Sequence, residues 1–152
     1  MRFLNGKNKG EKMKEEIILK KLLKLAKNAA KKNEIPISAL ITYNNKIISK
    51  GYNKREKNNL TIAHAEIEAI IKANKKIKNW RLNKCTLYVL VEPCDMCKNV
   101  IKESRIEKVY YLLERLEYKK AYNNTKFIQL KDEFDIKQNY IKIKDNFWKK
   151  LR

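Results

Sequence analysis

Apolar and polar residues recur along the chain with two different periods, which predict both helices and strands. From Ile18 to Ala29, apolar residues return every three or four positions between lysines, so we expect an amphipathic helix that ends near Asn33. Two apolar runs, residues 37–43 and 46–52, flank the pair Asn44-Asn45. Because asparagine tolerates turn conformations, this segment predicts a β-hairpin.

The middle of the chain alternates between helical and strand patterns. An apolar stripe that starts just after His64 predicts a helix, and the short apolar run Cys85–Val91 predicts a buried strand. Pro93 suits a first helical turn and opens another helix, which the strand Val109–Leu113 follows. Strands that alternate with helices require crossover connections, so the predicted fold class is α/β, with a mixed sheet covered by helices.

The two ends of the chain carry weaker patterns. Residues 1–10 are polar and basic, which indicates a flexible leader ahead of a single domain over residues 11–152. Tyr140–Lys144 alternates as an edge strand does. Asp145 is a suitable N-cap for a last short helix that runs through Leu151.

The charge of the chain is strongly positive, with 37 lysines and arginines against 17 acidic residues and a formal net charge of +20. Such an excess favours a polyanionic partner, since basic side chains release counterions from a phosphate backbone. The competing explanation is codon drift in an AT-rich genome, because the chain is also crowded with asparagine and isoleucine. Many of the lysines would then only coat a solvated surface.

Composition also narrows the cellular setting and the chemistry. The chain has neither a signal-peptide core nor the ~20 consecutive apolar residues of a membrane span, so we expect a cytoplasmic protein. Its three cysteines are an odd number and cannot form a self-contained disulfide framework. No glycine follows Gly51, which excludes the glycine-rich loops that cradle phosphates.

Two short motifs carry the candidate chemistry, HAE at residues 64–66 and PCDMC at residues 93–97. Imidazole and thiolate are the donors that zinc prefers, and a helix start lowers the pKa of a thiol, which favours the thiolate that binds metal. His64, Cys94 and Cys97 would supply three ligands. The fourth position is then left to water, which is the arrangement of catalytic rather than structural zinc.

Glu66 completes this hypothesis as the group that transfers protons between the water and a substrate. Residues two apart on a regular helix point to nearly opposite faces, so Glu66 can work beside His64 only at an irregular first turn. The alternatives are a structural histidine, a redox-active or simply buried C-x-x-C pair, or structural zinc. The only histidine and two of the three cysteines stand in the combined signature of zinc-dependent base deaminases, which favours catalytic zinc. Cys85 lies outside this signature and is expected to be a small core residue.

Beyond these motifs, the sequence resembles the bacterial tRNA-specific adenosine deaminases (TadA) of the cytidine deaminase-like superfamily. The resemblance runs from about residue 18 to about residue 109 and resumes at the C-terminus. Its pieces are Ile35-Pro36-Ile37, Gly51-Tyr52-Asn53, Ala63-His64-Ala65-Glu66, Trp80-Arg81-Leu82, Cys85-Thr86-Leu87-Tyr88-Val89, Glu92-Pro93-Cys94-Asp95-Met96-Cys97, Ser104-Arg105-Ile106 and residues 146–152.

The resemblance implies a three-layer α/β/α fold around a mixed five-stranded sheet. It implies hydrolytic deamination of adenosine to inosine at the wobble position of a tRNA anticodon loop. The enzyme would be a homodimer, with tRNA lying across both subunits. One zinc ion per chain would be held by His64, Cys94 and Cys97, with Glu66 as the proton shuttle.

The resemblance also assigns two residues to the substrate. Asn53 matches a residue that contacts the target nucleoside, and Ala65 matches a position whose backbone amide lines the base pocket. From the residues alone, Asn53 would be a turn residue that closes the hairpin.

The chain departs from the family at three places. The family usually carries an aspartate, a lysine and several glycines after the fourth strand, whereas residues 112–121 contain no glycine. Ser38 replaces a glycine, and Thr61-Ile62 replaces a Pro-Thr pair. The first departure touches a region that shapes the substrate site. The alternative is therefore a deaminase of another base, either cytosine in single-stranded nucleic acid or a free base such as guanine or cytosine. A non-catalytic RNA-binding module with structural zinc is a further alternative, against which the intact Glu66 argues.

Overall fold

The computed structural model of the protein describes residues 8–115, 126, 129 and 136–151. The chain divides into two compact units, residues 1–117 and residues 118–152. In chain order the helices and strands are α1 (Lys9–Lys31), β1 (Ser38–Tyr43), β2 (Lys46–Tyr52), α2 (Arg55–Asn58), α3 (Ala65–Ile77), β3 (Cys85–Val91), α4 (Asp95–Glu103), β4 (Lys108–Leu113) and α5 (Ile136–Lys150).

The sheet contains four strands in the described residues, in the order β2-β1-β3-β4. β1 pairs antiparallel with both β2 and β3, and β3 pairs parallel with β4 across the α4 crossover. The sheet is therefore mixed, as the sequence predicts. Its four described strands correct the count of five that the resemblance implies.

The predicted hairpin of β1 and β2 is confirmed, and its turn shows why asparagine occupies both central positions. Asn44 has a φ of 49° and Asn45 a φ of 59°. These left-handed conformations cost asparagine less than most other residues that carry a side chain. The two-residue turn pairs Tyr43 with Lys46, so β2 runs straight back along β1.

Helices cover both faces of the sheet, so the three-layer α/β/α arrangement is confirmed. At the start of β1, the hydroxyl of Ser38 points toward α1 and donates a 2.6 Å hydrogen bond to the Leu22 carbonyl oxygen. Side chains alternate along a strand, so Ala39 points to the opposite face, where α3 and α4 pack. The core of that face comprises Ala39, Ile41, Ala65, Ile67, Ala69, Ile70, Ala73, Leu82, Cys85, Leu87, Val89, Cys97 and Ile101.

The start of α3 lies directly on β2 at Gly51. A Cβ atom at this position would overlap the Ala65 carbonyl oxygen and would lie only 2.8 Å from the Ala69 backbone nitrogen. Such distances are shorter than van der Waals contact, so any side chain would push the helix away from the strand. Glycine therefore allows the first turn of α3, which carries Glu66, to sit on the sheet.

The N-terminal helix starts earlier than the end of the predicted leader. α1 begins at Lys9, so Lys9 and Gly10 are helical, whereas residues 1–7 lie outside the described part of the chain. The Asn8 side chain accepts a hydrogen bond from the Glu11 backbone, and the Glu11 carboxylate accepts one from the Asn8 backbone. This reciprocal capping box fixes the start of the helix.

The C-terminal unit contains α5, which corrects two predictions. The edge strand predicted at Tyr140–Lys144 is wrong because the segment lies inside the helix, and Asp145 is likewise internal rather than an N-cap. Tyr140, Ile143 and Phe147 recur at spacings of three and four, a helical period that a five-residue alternation conceals. Within the described residues, none of the helices is both long enough and apolar enough to cross a membrane.

Candidate metal centre

The two motif segments meet at one edge of the sheet. β2 and β3 run in the same direction, because both are antiparallel to the strand β1 between them. α3 follows β2 after a loop that contains α2, and its first turn contacts Gly51 near the end of β2, whereas α4 follows the end of β3, so both helices start at the carboxyl ends of these strands. In α/β sheets this is the edge at which ligands bind.

His64 and Cys94 are the N-cap residues of these two helices. Both have extended backbones, with φ −80° and ψ 154° at His64 and φ −68° and ψ 168° at Cys94. The irregular turn that the HAE motif requires is therefore present, since His64 precedes the helix while Glu66 lies inside its first turn. Within residues 8–115, neither N-cap side chain makes a capping hydrogen bond, although the thiol of Cys94 does contact Cys97 in the first turn of α4. The two side chains instead meet each other.

The imidazole and the two thiols form one cluster. Nδ1 of His64 lies 3.6 Å from Sγ of Cys94 and 3.5 Å from Sγ of Cys97. One donor atom of each residue lies within 4.8 Å of the others, so the cluster could hold a metal ion. Cys97 is buried, whereas His64 and Cys94 are only partly buried, so the cluster stays accessible to a small molecule.

Hydrogen bonds inside the cluster separate the pKa values of the two thiols. The bond with Cys97, supported by a second one with His64, lowers the pKa of Cys94 to about 3. The bond with Cys94, together with burial, raises the pKa of Cys97, and the bond with Cys94 also raises the pKa of His64. The lowered pKa favours the thiolate form of Cys94, which is the form that binds metal.

Glu66 lies beside the cluster and is the second residue of α3. It is only 4% exposed, and burial raises the pKa of its carboxyl group, while its backbone hydrogen bond and the charge of His64 act in the opposite direction. Its carboxyl group also hydrogen-bonds the Cys97 thiol. A buried carboxyl group with a raised pKa next to a reactive cluster is suited to accept and return a proton.

The two residues that the resemblance assigns to the substrate lie at the same edge. Asn53 follows β2 directly and is 3% exposed, and its side-chain oxygen accepts a 2.9 Å hydrogen bond from the Arg55 backbone N–H. That bond spans the short connection between β2 and α2. Ala65 is fully buried and is the first residue of α3, where a backbone N–H has no acceptor within its own helix.

Sequence reasoning missed two residues that support this edge. Glu34 is 5% exposed, and its carboxylate accepts hydrogen bonds from the backbones of Glu56 and Lys57. These partners are 22 and 23 residues further along the chain, so no local pattern reveals the contact. Gly51 did offer a signal, because a single glycine inside a strand indicates a close backbone approach.

The chain is similar in sequence to known deaminases. The MafB19-like deaminase profile matches residues 13–152. A tRNA-specific adenosine deaminase of Bacillus subtilis (strain 168) is 43% identical over 97 residues, which cover 64% of this chain and 60% of that relative. The tRNA-specific adenosine deaminase of Buchnera aphidicola subsp. Baizongia pistaciae (strain Bp) is 39% identical over 129 residues, which cover 85% of this chain and 76% of that relative. The match thus spans less than two thirds of the first relative and about three quarters of the second.

Solved deaminase structures share the fold. A guanine deaminase from Bacillus subtilis superposes with a TM-score of 0.73 over 86% of this chain and 93% of its own, at 26% identity. A structure from a study of adenosine-to-inosine editing at the wobble position of transfer RNA superposes with a TM-score of 0.64 over 66% of this chain and 78% of its own, at 33% identity. Sequence identity is thus higher with the structure from the wobble-editing study, whereas the superposed region is longer with the guanine deaminase.

Proposed function

This chain is a MafB19-like deaminase that belongs to the tRNA-specific adenosine deaminase family, and from that premise we propose that it hydrolyses the wobble adenosine of a tRNA anticodon loop to inosine. Water replaces the exocyclic amino group of the base, which leaves as ammonia. The observation that carries the proposal is the cluster of His64, Cys94 and Cys97 with Glu66 beside it, at the carboxyl ends of two parallel-running strands.

Zinc is the metal that we propose for this cluster. Tetrahedral zinc, with bonds of about 2.3 Å to sulfur and about 2.0–2.1 Å to nitrogen, would place those two donors about 3.6 Å apart. The imidazole nitrogen of His64 lies 3.6 Å and 3.5 Å from the sulfurs of Cys94 and Cys97. A donor set of one imidazole and two thiols also suits zinc better than magnesium or calcium, which take oxygen ligands.

The proposed reaction needs a group that moves protons, and Glu66 is placed for that role. When bound, zinc supplies Lewis acidity that makes hydroxide available at neutral pH. Glu66 takes up the proton from the attacking water on its carboxylate, and burial favours this protonated form. It delivers this proton to the purine ring nitrogen, and it then moves the second proton of the water, from the hydroxyl group added to the base, to the amino group that leaves as ammonia.

Asn53 and Ala65 are proposed to hold the base beside Glu66. The oxygen of the Asn53 side chain accepts from the Arg55 backbone, so its NH₂ group is the donor available to a nucleoside. The backbone N–H of Ala65 is available because the first residue of a helix lacks an intrahelical acceptor. Two fixed donors beside the proton-transferring group would orient the base for attack.

The proposed partner is the anticodon stem-loop of a tRNA. The formal net charge of +20 suits a phosphate backbone, and α5 carries Lys149 and Lys150 next to the exposed aromatic pair of Phe147 and Trp148. We further propose a homodimer, which the resemblance implies, and a cytoplasmic location, which the composition of the chain favours. Light scattering of the purified protein tests the dimer.

Mass spectrometry of an anticodon stem-loop incubated with the purified protein tests the function. We expect a mass gain of about 1 Da at the wobble nucleoside, because one amino group is exchanged for one oxygen, and the variant Glu66→Ala supplies the inactive control. Unchanged adenosine in the presence of one equivalent of zinc would contradict the proposal.

Deamination of free guanine is the second candidate. The observation in its favour is the TM-score of 0.73 with a guanine deaminase over 86% of this chain. Parallel incubations with free guanine and with single-stranded DNA that contains cytosine separate the candidates. Xanthine or uracil formation without inosine would assign this site to a different base.

A further inference from the structure

The loop after β2 begins with the short helix α2, and side chains accept the N–H groups of its first turn. The Arg55 N–H donates to Asn53 Oδ1 over 2.9 Å. The Glu56 N–H donates to Glu34 Oε2 over 3.2 Å, and the Lys57 N–H donates to Glu34 Oε1 over 2.7 Å. The buried Glu34 carboxylate thus accepts from two consecutive backbone N–H groups, and the N–H group just before them, that of Arg55, bonds the Asn53 side chain.

The position of Glu34 is costly unless its charge is compensated. It is 5% exposed, and a buried carboxylate is unfavourable unless hydrogen-bonded donors replace its water. The helix start supplies those donors, and its partial positive charge favours an anion. Four residues are too few to form a stable helix by themselves, so the conformation of α2 depends on contacts with other segments, of which the Glu34 carboxylate is one and the bond from the Lys54 N–H to the Ala63 carbonyl oxygen is another.

The contact bears directly on the orientation of Asn53. An N–H donor bonds only to the oxygen of a side-chain amide, so the bond from Arg55 decides which way the Asn53 amide faces. The Asn53 backbone is held separately, because its N–H donates to the Ile37 carbonyl oxygen over 3.1 Å. Glu34 holds the two residues that follow Arg55, and the Arg55 carbonyl oxygen also accepts a 3.2 Å hydrogen bond from the Leu60 N–H.

We propose that Glu34 is a positioning residue, which acts through α2 to hold the Asn53 amide with its NH₂ group toward the base. This inference rests on the proposed function, since it assumes that Asn53 contacts the substrate. Glu34 itself touches no reacting atom. Its role is to keep the Asn53 amide in one orientation before the substrate binds, so that binding does not have to include the free-energy cost of ordering this side chain.

A double-mutant cycle in kcat/KM on the anticodon stem-loop tests this link. In Glu34→Gln, one of the two carboxylate oxygens becomes an NH₂ group that faces a backbone N–H, so α2 loses one of its two contacts. We expect kcat/KM to fall on the order of 10- to 100-fold, as misplaced substrate contacts commonly cause. In the Asn53→Ala background, the same change should cost less than about 3-fold, because residues that act through one another are not additive.

Glu11→Gln is the matched control, since the Glu11 carboxylate also accepts a backbone N–H at a helix start, that of Asn8. It should leave kcat/KM within about 2-fold, which surface positions away from a site usually do. Equal losses from Glu34→Gln in both backgrounds would show that Glu34 acts through general stability and would overturn the proposal.

Amide hydrogen exchange tests the same link without any substrate, and therefore separates this inference from the proposed function. In Glu34→Gln, exchange should accelerate at Glu56 and Lys57 and also at Arg55, whose amide reports the Asn53 contact. If only Glu56 and Lys57 respond, Glu34 does not control Asn53 and the inference fails. If all three respond but the wild type produces no inosine, the positioning role stands and the assigned substrate is wrong.

Discussion

Two pairs of helix starts in the first unit are built in opposite ways. α1 and α2 begin with side chains that accept their backbone N–H groups, namely Asn8 for α1 and both Asn53 and Glu34 for α2. In α3 and α4, within residues 8–115, neither His64 nor Cys94 makes a side-chain capping hydrogen bond, and the thiol of Cys94 contacts Cys97 as part of the cluster. The accepting side chains at the starts of α1 and α2, which we call capped starts, stabilise these helices. At the uncapped starts of α3 and α4, the side chains of His64 and Cys94 instead meet to form the candidate metal centre.

Packing replaces capping at the start of α3. Ala65, Ala69 and Ala73 are fully buried along one side of the helix, and Gly51 lets that side lie on β2. The helix therefore does not need His64 as a cap, and the imidazole can serve another purpose. The difference between the two pairs shows that when packing on the sheet stabilises the first turn of a helix, the N-cap side chain does not have to accept a backbone N–H and can join a functional site.

The largest expected effect comes from Glu66, the proposed proton-transferring residue at the start of α3. Glu66→Ala should keep metal and fold but lower turnover by about 10⁴-fold or more, since a general acid–base group typically contributes about 10²–10⁴-fold and Glu66 is proposed to act in both proton transfers. Single-turnover kinetics on the stem-loop measure the change. Glu103→Ala, at the exposed end of α4, is the control. Near-normal turnover in Glu66→Ala would remove this residue from the mechanism.

A smaller effect is expected where packing replaces the cap. Gly51→Ala should lower the free energy of unfolding by about 1–3 kcal/mol, which is the usual cost of overpacking, because the new methyl group overlaps the Ala65 carbonyl oxygen. Gly10→Ala is the matched control. Its Cβ would have its nearest neighbour, Oδ1 of the N-cap residue Asn8, at 3.4 Å, so the variant should be neutral or stabilising by about 0.5–1 kcal/mol.

Urea unfolding of both glycine variants, followed by circular dichroism, measures these differences. Activity should fall in Gly51→Ala and not in Gly10→Ala, because only the first displaces the turn that carries Glu66. Equal stability of the two variants would mean that α3 does not depend on close contact with β2.

The smallest effect concerns a capped start. Asn8→Ala removes the acceptor of the Glu11 N–H and should lower the free energy of unfolding by about 1 kcal/mol, the typical value for a lost N-cap. Turnover should not change, because this cap serves only α1. Thermal unfolding and the stem-loop assay together check both parts. A loss of turnover without a loss of stability would break the distinction between capped and uncapped starts.

Local patterns were sufficient to predict the elements that build the centre. The Asn44-Asn45 pair predicted the turn of the hairpin, and the two motifs predicted that His64, Cys94 and Cys97 lie close together. The hairpin turn depends on residues that are adjacent in sequence. The cluster depends on imidazole and thiol groups, whose combination in these motifs is typical of metal binding. The need for an irregular turn at His64 could be stated from helix geometry, and the extended backbone there meets it.

Two kinds of feature could not be predicted from the sequence: contacts between residues far apart in the chain, and the secondary structure of segments with only a few alternating residues. Glu34 acts on α2 across more than twenty residues, so nothing adjacent to it indicates its partners. Tyr140–Lys144 alternates over only five residues, which is too short to distinguish a strand from the helix that forms. For that reason the edge strand predicted at this segment is wrong.

The zinc content of the purified protein tests most directly whether the two uncapped helix starts form a metal centre. Elemental analysis of protein prepared without added metal should find about one equivalent of zinc per chain in the wild type, in Asn8→Ala and in Glu66→Ala. Cys94→Ser should lose most of it, because the thiolate at the start of α4 is a proposed ligand. A wild type without zinc, or a Cys94→Ser variant with a full equivalent, would contradict the proposed centre.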